Sequence, residues 1–194
     1  MEIKEKNILA AYKAANEEIK ALFKTMFPEI NFTQKDTRPV TERIRTFDDA
    51  CAELGDDNPL VQEYQVIIST IDCPKHDLEA YLQLRIITAA LNEGWEPQFT
   101  EGEYRWYPWY YLYKSKEEYE AESESWKENH PLVLFGGFAR RGALCGFVFA
   151  YSTFAPSSTF ANIGSRLCLK SEALADYCGK QFATLWADFY LIRK

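Results

Sequence analysis

Residues 132–152 read LVLFGGFARRGALCGFVFAYS, and residues 163–191 read IGSRLCLKSEALADYCGKQFATLWADFYL. Leu132–Ala139 and Ala143–Ser152 are two apolar runs on either side of Arg140-Arg141-Gly142. A glycine closing a short polar break between strand-like runs predicts a hairpin, because it accepts a positive φ without a Cβ clash. On the second arm, alternation places Cys145, Phe147, Phe149 and Tyr151 on one face and Leu144, Gly146, Val148 and Ala150 on the other. Neither face is polar, so the arm is expected to be a central strand covered on both sides. Thr153–Asn162, with Pro156, reads as a loop. Alternation resumes over Ile163–Lys170 and predicts a further strand. Ser171 then suits an N-cap with Glu172 behind it. In the helix that follows, Leu174, Tyr177, Cys178, Phe182, Leu185, Trp186 and Phe189 recur every three or four residues. Burying one such side chain is worth about 1.5–3 kcal/mol, so this stripe is expected to lie across the sheet.

Working outward, residues 3–26 carry one helical stripe (Ile8, Tyr12, Ala15, Ile19, Leu22, Phe23, Met26) that ends before Pro28. Residues 29–46 are polar and read as a linker. Thr46 followed by Asp48 and Asp49 opens a short helix that stops at Gly55, and Asn58-Pro59 opens another. Leu78–Asn92 is apolar on nearly every side and predicts a central helix capped by Asp77 and closed by Gly94. Tyr104–Tyr113 reads as a strand, at an edge or bulged, because Pro108 has no N–H for a ladder. Ser115 and Glu118 form a capping-box pattern that opens an acidic, solvated helix over 116–128. The fold expected is α+β: a helical N-terminal half with a small antiparallel sheet of about four strands covered by a C-terminal helix. Residues 1–45 are an N-terminal helix and linker, and 46–194 the α+β domain, helical over 46–94, with the sheet and closing helix in 95–194.

The composition is globular and rich in rings: of 194 residues, 47% are hydrophobic, 15% aromatic and 26% charged. The five cysteines are odd in number and irregular in spacing, which suits free thiols in a reducing compartment. No run reaches the roughly 20 apolar residues of a membrane span, and charges stand where a signal peptide needs its apolar core. A soluble, cytoplasmic protein is expected. The net charge of −7 argues against a broad nucleic-acid-binding surface. The charge is uneven: residues 132–194 hold seven Lys/Arg against three acids, a local +4 that leaves −11 on the other 131 residues.

Motifs for catalysis fall short on their own terms. Cys73-Pro74-Lys75-His76 is half a zinc site, with His130 the only other histidine. The glycines at 136, 137 and 142 lead into a strand and lack the G-K-[ST] of a phosphate loop. Gly164-Ser165-Arg166 lacks the second glycine of a nucleophile elbow, and the acid pairs Asp48/Asp49 and Asp56/Asp57 sit where caps and turns need them. No catalytic residue, metal or cofactor is expected. Two binding constellations stand out. Trp106, Tyr107, Trp109 and Tyr111, with Arg140, Arg141, Arg166 and Lys170, combine rings that stack bases with cations that track phosphates; the competing reading is core rings and solvated charges. Arg85, on the apolar helix, is expected to pair with an acid in the core, line a ligand pocket or reach solvent.

The strings EAYLQLRIITAALNEGWEP, YRWYPWYYL and GSRLCLKSEALADYCGKQF resemble a family of uncharacterised proteins from Bacteroidetes genomes and their phages or prophages, over about residues 77–191. The resemblance implies a mobile-element origin and a cytoplasmic location, and carries no assigned activity or catalytic residues. The function expected is a non-enzymatic accessory or interaction protein of phage or prophage type, with a protein or a single-stranded nucleic acid as partner, no membrane, and a homo-oligomer open. The alternatives are a virion structural component and an enzyme with an unrecognised site.

Overall fold

The computed structural model describes residues 5–30, 32, 36–71, 76–98, 100–113, 115–130, 132–139, 143–156 and 165–191. The chain divides into two compact units, Met1–Pro39 and Val40–Lys194.

Among its described residues the first unit holds two helices, α1 (Glu5–Lys13) and α2 (Glu17–Met26), where the apolar stripe predicts one. The break is local. Asn16 takes an extended backbone, and its side-chain oxygen accepts from Ile19 N at 2.9 Å, which opens a new helix. Tyr12 stacks on Phe32 with ring centroids 4.4 Å apart, and Phe23 packs edge-on to both.

The second unit begins six residues before the expected boundary of 45/46. Residues 40–45 are no linker: α3 (Val40–Arg43) leads to Ile44, which is fully buried in the main core. Its carbonyl accepts from Tyr177 Oη at 2.6 Å, and that of Arg45 from Gln181 Nε2 at 2.7 Å. Helices α4 (Phe47–Leu54) and α5 (Pro59–Thr70) start at Thr46 and Asn58, whose side chains accept from Asp49 N and Leu60 N. Helix α6 (His76–Asn92) is the central one, and Asp77, expected as its cap, lies inside its first turn. Leu84, Ile86, Ile87 and Leu91 have no solvent exposure, and the chain leaves the helix through Glu93 (φ 51°) and Gly94 (φ 84°).

Three antiparallel strands are present among the described residues, in the order β1 (Tyr104–Tyr113), β3 (Ala143–Pro156), β2 (Leu132–Ala139). The hairpin and the central place of its second arm match the sequence pattern; the count of about four strands does not. Of the expected strand over 163–170, the described part is a 3-10 turn (Ser165–Leu167) and one bridge, Leu169 to Trp106. The reason is that α6 side chains hold this segment's backbone. Thr88 Oγ1 donates to Arg166 O at 3.1 Å, Asn92 Nδ2 donates to Cys168 O at 2.9 Å, and Asn92 Oδ1 accepts from Lys170 N at 3.0 Å. Groups bonded to a helix cannot extend a ladder.

The closing helix is also two, α9 (Glu172–Gln181) and α10 (Ala183–Tyr190), broken at Phe182 (φ −111°, ψ 27°). Helix α9 lies against β1 and β3, and α10 reaches β2 and α6. The order of layers is therefore sheet, α9–α10, α6, then α4 and α5. The acidic segment predicted as one solvated helix is α7 (Lys116–Glu120) and α8 (Glu124–Asn129), each capped by a serine. It is not a free surface feature: Tyr119 is buried against Tyr113 and Val148, with Trp126 packed beside them.

Strand β1 is an edge strand, as Pro108 requires. Trp106 turns its N–H and C=O outward, to Leu169 O at 3.0 Å and Leu169 N at 2.9 Å. Pro108, two residues on, faces the same side. Its missing N–H therefore falls on the open edge and costs the β1–β3 ladder nothing.

Candidate functional site

The decisive geometry is a bulge. Trp109 pairs with Tyr151 but Tyr110 pairs with Phe149, so Ala150 has no partner across the ladder. One extra residue reverses the alternation of β3. Phe147 and Phe149 point inward to Tyr110, which itself packs against Trp186, while Tyr151, which strict alternation places with them, points to the opposite, outer face.

On that outer face both ends of β1 are covered. Tyr107 is 1% exposed and packs with Cys168 and Trp95; at the other end Tyr113 and Val148 lie under α7 and α8. Between them is a window of three rings: Trp109 at 42% exposure, Tyr111 at 38% and Tyr151 at 48%. Tyr151 stands 6.4 Å, centroid to centroid, from each of the other two, nearly parallel to Trp109 (14°). Tyr111 continues the row to Trp126 at 5.6 Å and His130 at 6.0 Å. Trp126 and His130 stack at 4.1 Å, and His130 Nδ1 lies 2.8 Å from Trp126 O. The rim next to this row is acidic: residues 115–130 hold six glutamates against two lysines.

The aromatic-plus-basic constellation drawn from the sequence is thus not one surface. Trp109 and Tyr111 belong to the window. Tyr107 lies beneath the same face but is sealed from solvent. Trp106 points inward, half-buried against the main core and 5.0 Å from Phe154. Arg140 and Arg141 lie outside the described residues. Lys170 is tied to the end of α6, with Nζ 3.2 Å from Asn92 O and 3.0 Å from Glu93 Oε2. Tyr151 is the member that the sequence missed, because nothing in an all-apolar strand marks a bulge.

Arg166 has a different companion. It and Arg85 line one cleft of about 330 Å³, together with Leu60, Thr88, Ala89, Asn92, Trp95, Glu96 and Pro97. Arg85 does pair with an acid, but not with one in the core: Nη1 lies 2.9 Å from Glu63 Oε2 on α5, whose side chain is 43% exposed. Its guanidinium also sits 5.8 Å from the Tyr81 ring.

The thiols are poorly placed for nucleophilic chemistry. Burial pushes Cys168 up to about 11 and Cys178 up to about 12. A thiol with such a pKa is protonated at neutral pH, and the thiolate is the reactive form. Cys73, with its sequence neighbours in the half zinc motif, and Cys145 fall where the side chains are not described. Among the described residues no group of three His, Cys, Asp or Glu side chains is placed to hold a metal ion. No helix there is long and apolar enough to cross a membrane. No family model, curated protein or solved structure matches the chain.

Proposed function

We propose that the chain is a non-enzymatic interaction protein of the accessory type carried by phages and prophages, and that its working surface is the outer aromatic window. The observation that carries this reading is the trio Trp109, Tyr111 and Tyr151, each more than a third exposed and adjacent on two paired strands. Exposed rings in contact with one another mark interaction surfaces, since aromatic side chains supply large, stiff contact area at little entropic cost. The acidic rim on α7 and α8 favours a protein partner with basic residues around an apolar centre. A phosphate backbone needs the opposite sign.

A second reading, a single-stranded nucleic acid stacked on the rings, has support from Arg140-Arg141, two adjacent cations that fall between β2 and β3 in the sequence. One experiment separates the two. A photo-cross-linking benzoylphenylalanine replaces Tyr111 in the full chain in its host cells, with a control at exposed Glu172, the first residue of α9. The expected product is a discrete, nuclease-resistant protein adduct from position 111 only, lost when Trp109→Ala is added. A nuclease-sensitive adduct supports the second reading instead. No adduct, or the same adduct from both positions, overturns the assignment of the window.

A further inference from the structure

The window leaves the Arg85–Arg166 cleft without a role. We propose that this cleft binds a small, flat-ringed monoanion, of the class of an aromatic carboxylate. Its volume of about 330 Å³ lies at the small end of the range for ligand sites, about 300–1,000 Å³, and suits a single ring. Its apolar wall is Leu60, Ala89 and Pro97, and the half-buried indole of Trp95 offers a face for stacking.

The polar lining decides the charge. Thr88 Oγ1 is occupied by Leu84 O at 2.9 Å and Arg166 O at 3.1 Å, and the Asn92 amide by Cys168 and Lys170. The charged donors left over belong to the two guanidiniums. Arg166 is exposed, and its side chain makes no hydrogen bond or ion pair among the described residues. Arg85 commits Nη1 to Glu63, and the rest of its fork remains for a second acceptor. Two arginines with donors to spare, reaching one cleft from α6 and from the 3-10 turn, call for an anion. Glu96 in the same lining and Glu63 behind Arg85 offset the two guanidiniums one for one in formal charge, so the cleft has donors aimed into it but no surplus of positive charge. The balance favours one negative charge over the several of a polyphosphate.

The test is a nitrogen-15 NMR titration of the full chain with benzoate. The Trp95 indole signal is assigned by its loss in Trp95→Phe, and acetate and benzyl alcohol serve as probes lacking the ring and the charge. Benzoate is expected to move the Trp95 signal saturably, and the two controls are not. Arg166→Gln, at an exposed position, should weaken binding about tenfold, the worth of one charge-assisted hydrogen bond pair. Arg85→Lys, which keeps the charge opposite Glu63, should weaken it as well while the spectrum reports an intact fold. No saturable shift, equal shifts from acetate, or benzoate binding unchanged in Arg166→Gln would each overturn the proposal.

Discussion

Gly179 sets how closely α9 approaches the sheet. A β-carbon there would stand 2.5 Å from Phe149 Cε2 and 2.6 Å from Pro108 Cβ, inside contact distance of two groups that the core holds rigid. The close approach also lets Tyr110 Oη donate to Gly179 O at 2.8 Å. Helix propensity alone favours Gly179→Ala by about 1 kcal/mol, whereas forcing a methyl into a packed site costs about 1–3 kcal/mol. The overpacking term is the larger here because both neighbours are hemmed in. Urea unfolding of Gly179→Ala is therefore expected to show a net loss of up to about 2 kcal/mol. A variant as stable as the parent would mean that the helix and sheet are not in contact at this point.

At the level of elements, the bulge at Ala150 separates two residues that look equivalent in the sequence. Phe149 is 2% exposed on the inner face, and Tyr151 is 48% exposed on the outer one. Phe149→Ala is expected to cost about 3–5 kcal/mol, and Tyr151→Ala no more than about 0.5–1 kcal/mol; thermal or denaturant melts of the two variants check both. Similar losses would restore simple alternation and close the window. This is also where the sequence could be read and where it could not. The hairpin, the edge strand with its proline, the central α6 and the caps at Thr46, Asn58, Ser115 and Ser171 all rest on local rules, and all are present. Part of what the sequence pattern missed was decided by partners far along the chain. Asn92 and Thr88 of α6 take the backbone of 166–170 out of the sheet from more than seventy residues away. Phe182 breaks a stripe whose periodicity runs on unbroken through it. Of the candidate site, Trp109, Tyr111 and the Arg85 ion pair were legible from residue type. The union of Arg85 with Arg166, and of Tyr151 with the window, exists only once α6 and the bulge are in place.

For the whole molecule, the division at Pro39/Val40 has a direct consequence. Residues 40–194 contain the entire main core, Val40 and Ile44 included. A chain starting at Val40 is expected to fold on its own with a single cooperative transition, while one starting at Thr46 loses the fully buried Ile44 and the bond from Tyr177. The second truncation should be less stable than the first by at least about 2–4 kcal/mol, measured by denaturant titration. Equal stabilities would return 40–45 to a linker.

The open edge of β1 leads to a last point. Seven of its ten residues are aromatic, a composition that in an unprotected strand invites lateral stacking of copies into fibrils. Pro108 stands in the middle of that run with no hydrogen to give, on the side where an incoming strand would have to bond. The same residue that lets the sheet close on its inner neighbour acts as a gatekeeper, and it allows so many rings to be gathered on one strand without turning the strand into a seed.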